Sequence, residues 1–80
     1  MRTEIRIKAD EARRLKNDSA FSAFMQDVRD DQIKVFTTST ASDVEAREAA
    51  HGIIRALNQI EMKLEAAMTA ETFLDRKQRK

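Results

Sequence analysis

The feature that most constrains this chain is a regular apolar pattern in residues 42–69, SDVEAREAAHGIIRALNQIEMKLEAAMT. Apolar residues recur at alternating intervals of four and three, as in a helix that packs along a heptad seam. The members of this seam are Ala46, Ala50, Ile53, Leu57, Ile60, Leu64 and Ala67. The pattern predicts one helix over residues 42–69, about 40 Å long at about 1.5 Å per residue.

Three further apolar residues, Ala49, Ile54 and Met68, widen the seam to an arc of about 140°. A two-stranded coiled coil needs only a narrow seam. The wide arc therefore predicts two neighbours, namely the preceding helix of the same chain and a helix of another copy. Small residues near the start of the helix either permit close helix approach or serve only as good helix formers: Ala46, Ala49, Ala50, Gly52 and Ala56.

A second helix is predicted over residues 19–37, after a cap cluster at Asn17, Asp18 and Ser19. Gln32 lies near the centre of its apolar face, where a polar residue can fix the register and the number of partners. The other members of that face are Phe21, Phe24, Met25, Val28, Val35 and Phe36.

The hydroxyl-rich stretch 37–42 ends this helix, and Ser42 with Glu45 forms a capping box that begins the next.

The two ends are predicted to be short basic appendages. Residues 1–18 form an arm or a short basic helix, because TEIRIK alternates polar and apolar residues whereas ADEARRLK favours a helix. Residues 70–80 form a short helix, capped by Thr69, with a basic tail. The predicted fold is all-α: an antiparallel helical hairpin over residues 19–69 with short terminal helices or arms, which assembles into a helical bundle or ring.

Composition limits how an 80-residue chain can stabilise such a fold. The absence of Cys excludes disulfides and thiolate metal sites, and a single His excludes a His-rich metal cluster. A core this small is marginal without reinforcement, which leaves oligomerisation. The net charge of +1 gives no overall attraction to nucleic acid or membranes. No apolar run approaches the roughly 18 residues of a membrane span, and no secretory signal is visible, which predicts a protein of the producing cell's cytoplasm.

No residue pattern indicates catalysis, and the sequence predicts neither an enzyme nor a cofactor or metal site. His51 lacks a nucleophile and an orienting partner, which a general base requires. Glu61 and Glu65 lack the Glu-x-x-His pairs of di-metal helical sites, so a solvated face is the simpler interpretation. Glu61 also lies at the edge of the apolar arc, where it can pair with a basic side chain across an interface.

Basic side chains gather at both ends, and phosphate groups of nucleic acid are their candidate ligands. Without an aromatic stacking platform, such contacts give weak, salt-sensitive and sequence-independent binding. Solvated helix ends are the simpler interpretation. The stretch 37–42 also lacks the glycine of a helix-turn-helix turn. The residues concerned are Arg13, Arg14, Lys16, Arg76, Lys77, Arg79 and Lys80.

The segments LKNDSAFSAFMQDVRDDQI and REAAHGIIRALNQIEMKLE resemble small helical proteins of tailed bacteriophages, often encoded near packaging and portal genes. The resemblance covers about residues 11–66 and lies in the order and spacing of helices around a hydroxyl-rich turn. It implies a virion component or a DNA-packaging accessory such as a small terminase subunit, and it carries over no functional residue.

Three functions follow from these observations. The first is a non-enzymatic, homo-oligomeric structural or assembly protein, cytoplasmic or incorporated into a virion. The second is a nucleic-acid-associated packaging or regulatory factor that uses the basic ends. The third is a small inhibitor of a host protein. The residues predicted to form the oligomer and packing interface are Phe21, Phe24, Met25, Val28, Gln32, Ile53, Leu57, Ile60 and Leu64.

The substitution Gln32→Leu tests the role of the polar residue within the apolar face. We expect a higher free energy of unfolding, because apolar burial contributes about 25 cal/mol per Å². We also expect a broader distribution of oligomers, because the group that fixes register is lost. Thermal unfolding and light scattering measure the two effects. Unchanged stability together with unchanged assembly would remove the proposed role.

Overall fold

The computed structural model describes residues 2–78, which form three α-helices: α1 (Arg2–Asn17), α2 (Ser19–Thr38) and α3 (Val44–Gln78). No strand occurs in this part of the chain, and the predicted all-α fold is confirmed. The helices pack into a rod of 59 × 22 × 16 Å. Two helices laid side by side account for these narrow dimensions, since one helix is about 10–12 Å across.

Helices α1 and α2 together form one arm that runs antiparallel to α3. Polar pairs across the rod show this direction, because the residue numbers rise on the arm while they fall on α3: Arg6 with Asp75, Lys16 with Glu65, and Arg29 with Asn58. α1 therefore covers the second half of α3, and α2 covers the first half. The hairpin includes α1, which the sequence-based prediction left outside it.

The arm is interrupted only at Asp18, which caps α2. Its backbone is extended, with φ −77° and ψ 116°, and its Oδ1 accepts a hydrogen bond of 2.9 Å from the N–H of Phe21. A side-chain acceptor at this position satisfies an N–H that the first helical turn leaves free. The cap predicted within residues 17–19 is confirmed, and Asp18 is the residue that supplies it.

α3 contacts the arm along a heptad seam that runs for its whole length. Its partly or fully buried positions recur at intervals of three and four, except that position 61 is occupied by an exposed Glu. Among them are Arg47, Ala50, Ile54, Leu57, Leu64, Met68, Glu71 and Asp75. This seam shares Ala50, Leu57 and Leu64 with the predicted one but includes Ile54 where the prediction had Ile53.

The arm presents a matching seam on each side of Asp18. In α1 the protected apolar residues are Ile5, Ala9 and Ala12, and in α2 they are Phe21, Met25 and Val35, with Gln32 among them. Only four side chains of the described chain are buried: Ala9, Ala12, Ala50 and Leu57, at 0, 3, 1 and 7% exposure. Three of the four are alanines, which allow the helices to approach closely at the cost of a thin core.

α3 continues without a break to Gln78, so the predicted end at residue 69 and the separate short helix over 70–80 are wrong. Thr69 alone does not end a helix, because its propensity is only a fraction of a kcal/mol below that of Ala. No Gly or Pro follows it. The packing of α1 against residues 64–75 stabilises the added turns. Residues 79 and 80 of the predicted tail lie outside the described residues.

The predicted capping box of Ser42 and Glu45 is also wrong, because α3 begins at Val44. Asp43 organises the turn instead: its Oδ2 accepts a hydrogen bond of 2.9 Å from the N–H of Thr40, and its backbone carbonyl accepts one of 3.1 Å from Arg47. The hydroxyl of Ser42 contacts that of Thr40 at 2.9 Å. The bond from Thr40 lowers the pKa of Asp43, since it favours the charged carboxylate.

The N-terminal segment is helical from Arg2, so the alternation in TEIRIK does not produce an extended arm. Ile5 faces α3, whereas Ile7 remains 52% exposed. A lone strand would leave its backbone groups unpaired, while the helix satisfies them within the segment. The alternative of a basic helix is therefore the one observed.

Leu57 is the largest buried side chain in the hairpin seam, and its truncation tests the seam. We expect Leu57→Ala to lower the free energy of unfolding by about 2–4 kcal/mol, because it leaves a cavity between α2 and α3. Met62→Ala on the same helix is the control, since Met62 is 68% exposed. Its effect should stay within about 0.5 kcal/mol. Urea unfolding followed by circular dichroism measures both, and equal losses would contradict the observed seam.

Candidate interaction surface

One edge of the contact between α2 and α3 is closed by polar side chains. The guanidinium of Arg29 donates a hydrogen bond of 3.0 Å to Asn58 Oδ1 and pairs with Glu61. Lys16 pairs with Glu65 a little further along α3. A shallow groove between α1, α2 and α3 opens at this edge, and these paired charges line it together with apolar residues. The hydrogen-bonding capacity of this edge is therefore largely satisfied within the hairpin.

The opposite edge of the same contact is apolar and exposed. At about 100° per residue, Phe24 and Val28 lie across the buried line of α2 from Arg29. Ile53 and Ile60 likewise lie across the buried line of α3 from Asn58. Because the two helices are antiparallel, both pairs lie on one side of the hairpin. We call these four residues the apolar face; their exposures are 70, 38, 40 and 42% for Phe24, Val28, Ile53 and Ile60.

Singly exposed apolar side chains are normal on protein surfaces and need no explanation. The apolar face differs because its members come from two helices and follow one edge of a packed seam. Contiguous apolar surface of this kind marks interaction sites. Other large apolar side chains are exposed elsewhere on the rod, including Ile33, Met62 and Phe73. Ile33 lies on the polar edge, and Met62 with Phe73 lies on the outer surface of α3.

α3 carries a second heptad seam beside the one that contacts the arm. Its members before residue 61 are exposed and follow intervals of three and four: Ala46, Ala49, Ile53, Ala56 and Ile60. The same line continues to Ala67 and Leu74, which α1 partly covers. A straight helix drifts by about 20° per heptad against a 3.5-residue repeat. The arm therefore moves around α3 along the rod and leaves the first half of the second seam uncovered.

The residues predicted to form one interface are divided between two surfaces. Phe21, Met25, Gln32, Leu57 and Leu64 lie within the hairpin seam, where each is partly or fully buried. The remaining four form the apolar face. Of the small residues expected to allow close packing near the start of α3, only Ala50 is buried; the exposed ones are Ala46, Ala49, Gly52 and Ala56.

The N-terminal basic patch is largely paired with carboxylates of its own chain. Arg13 donates hydrogen bonds to Glu71 at 2.5 Å and to Asp10 at 2.6 Å, and these bonds raise the pKa of its guanidinium. Lys16 is held by Glu65. Within residues 2–78, the cations that make no ion pair include Arg14, Arg76 and Lys77. Arg79 and Lys80 lie outside the described residues.

Of the side chains considered for chemistry, Glu61 and Glu65 line one groove, where they pair with Arg29 and Lys16. His51 is exposed on the outer side of α3. Across residues 2–78, no three His, Cys, Asp or Glu side chains are grouped as a metal site requires. None of the described helices combines the length and apolar character needed to cross a membrane.

Two features of the hairpin were not predicted from the sequence. The first is the packing of α1 on α3, which the heptad intervals of Ile5, Ala9 and Ala12 could have indicated. The second is the polar edge formed by Arg29, which determines on which side the hairpin remains apolar. No sequence pattern signals that edge, because its partners lie about 30 residues away.

Comparison of the chain with protein-family models, with curated proteins and with solved structures found no match. No family assignment or function is therefore transferred from a relative. The distribution of apolar and charged side chains over residues 2–78 is the basis for the proposals that follow.

Proposed function

We propose that this protein is a non-enzymatic, oligomerising structural or assembly protein, and that it serves as a bacteriophage virion or DNA-packaging accessory component. The observation that carries the proposal is the apolar face, formed by Phe24, Val28, Ile53 and Ile60 along one edge of the hairpin. The phage assignment rests on the resemblance of the two helical segments alone.

Burial of the apolar face by another copy would lower the free energy of the folded protein. Within residues 2–78 the hairpin buries only four side chains, and three of them are alanines. Burial of apolar surface contributes about 25 cal/mol per Å², so four further large side chains add substantially to such a thin core. Small domains without disulfides or metals commonly gain stability by oligomerising.

The asymmetry of the hairpin also suggests how it acts in an assembly. Its apolar edge joins copies, while its polar edge, held by Arg29 with Asn58 and Glu61, faces outward. A rod about 59 Å long would then be a spacer or clamp. Its Arg76 and Lys77, which make no ion pair within residues 2–78, would contact an acidic partner. Its mechanism is the presentation of paired rods to a larger structure, with no bond made or broken.

The internal ion pairs disfavour phosphate binding as the main activity. Arg13 and Lys16 would have to give up Glu71 and Glu65 before contacting DNA. Sequence-independent binding depends on the number of phosphates neutralised, so the loss of two cations weakens it and lowers its salt dependence. A gel-shift experiment at low and physiological salt tests this point. Tight binding that persists at physiological salt would favour the packaging-factor hypothesis.

The mass of the protein in solution tests the proposal directly. We expect light scattering to report at least a dimer, with a melting temperature that rises with protein concentration. Phe24→Ser should shift the mass toward the monomer, because it places a hydroxyl in the apolar face. Phe73→Ser is the matched control, since Phe73 is 59% exposed but distant from that face. A wild-type monomer whose melting temperature is independent of concentration would overturn the proposal.

A further inference from the structure

We infer that two copies associate through α3 in antiparallel orientation, along the exposed second seam and about a two-fold axis near Ile53. This inference rests on the proposed function and specifies its geometry. The occupant of the seam is a second copy of the same chain. Three observations favour this occupant: the order of large and small residues, the position of Gly52, and the charges at the two ends of the seam.

The order of side chains along the seam is complementary to its own reverse. In an antiparallel pair centred at Ile53, Ala46 of each copy lies opposite Ile60 of the other. A small residue then meets a large one at both ends, so the two ends of the interface are equally spaced, and Ile53 meets its own copy at the axis. A parallel pair would place Ile60 against Ile60 and Ala46 against Ala46, which leaves one end crowded and the other open.

Gly52 lies beside the proposed axis, on the flank that Ala49 and Ala56 also occupy. A Cβ added at Gly52 would meet nothing within 4 Å, so the hairpin itself has no steric need for glycine there. Glycine within a helix is destabilising relative to alanine. A requirement outside the hairpin explains its presence, since a second α3 can approach most closely where no side chain intervenes.

The charges at the ends of the seam select the antiparallel orientation. Glu45 and Lys63 lie on the same flank of α3, both are exposed, and neither makes an ion pair within residues 2–78. Antiparallel docking brings Glu45 of each copy beside Lys63 of the other, in two symmetric pairs. Parallel docking would place this flank of the two helices on opposite sides of the interface and would form neither pair. Such pairs contribute more to orientation than to affinity.

The arm limits the length of this interface. α1 reaches α3 at Lys63 and Leu64, which line a groove together with Leu15 of α1. The free segment of the second seam therefore extends from Glu45 to Lys63 at its edge, about 28 Å at about 1.5 Å per residue. The centre of this free segment, residue 54, lies next to the axis placed independently at Ile53 by the side-chain order. The agreement of the two positions supports a symmetric pair of α3 helices.

Cross-linking of single-cysteine variants tests the orientation, because the chain has no Cys of its own. Glu45→Cys and Lys63→Cys are prepared separately, one with a size tag, and treated with a short thiol-specific cross-linker. We expect a cross-linked heterodimer when the two are mixed and little product from either alone. The mixture retains one complete Glu45–Lys63 pair. Met62→Cys, on the outer surface of α3, is the control and should give little product.

Self-cross-linking of each variant, with no cross-linked heterodimer in the mixture, would overturn the inference, because each residue would then lie beside its own copy. Absence of cross-links in all samples from a protein that is oligomeric by light scattering would also overturn it, while the proposed function would stand. A monomeric wild-type protein would overturn both. Failure of the antiparallel geometry and failure of the proposed function therefore give different results.

A second test uses Gly52→Leu, which leaves the hairpin seam intact. We expect its dimer dissociation constant to rise at least tenfold, because the added side chain separates the two α3 helices. Helix content of the dissociated chain should not fall, since leucine is a better helix former than glycine. His51→Leu, on the opposite side of α3, is the matched control and should leave the dissociation constant unchanged. An unchanged dissociation constant for Gly52→Leu would overturn the inference.

Discussion

The antiparallel contact between the arm and α3 is the interaction on which the rest of the structure depends. The separate helices would be only marginally stable in water, since helices in proteins gain most of their stability from packing an apolar face. The heptad seams of the arm and of α3 meet over nearly the whole rod. They extend from Ile5, which lies near the C-terminal end of α3, to Val35, which lies near the turn between α2 and α3. Asp18 makes this extended contact possible, because α1 ends and α2 begins at this residue while the arm remains packed on α3.

The rod is only two helices thick, so apolar side chains that do not face the partner helix remain on the surface. α3 has apolar residues on more of its circumference than one antiparallel neighbour can cover. The arm moves around α3 as the two seams follow the heptad period, so it covers Leu74 near one end and Ile54 near the other. Ile53 and Ile60 remain exposed for this geometric reason, and Phe24 and Val28 lie on the same side of the hairpin.

Helix caps and helix ends could be predicted from the sequence where a few neighbouring residues determine them. The cap at Asp18, the start of α2 at Ser19 and the turn after Thr38 follow from short-range hydrogen bonding, and the prediction placed them within a residue. The start and end of α3 were misplaced. Asp43 directly precedes α3 and accepts a hydrogen bond from the N–H of Thr40, so α3 begins at Val44. Packing against α1 extends the helix past Thr69.

The sequence by itself determined that the chain is helical, that it bends back once, and that its long helix has an apolar arc wider than one partner needs. These properties depend on periodicity and on capping, which act within about one heptad. Only the tertiary structure decided which part of that arc is covered. The choice between Ile54 and Ile53 depends on where a helix more than 15 residues away in sequence docks, and on the pairing of Arg29 with Asn58 across the turn. Such long-range contacts depend on the shape of the two helices and on the register in which they pack, and a local sequence pattern contains no information about either.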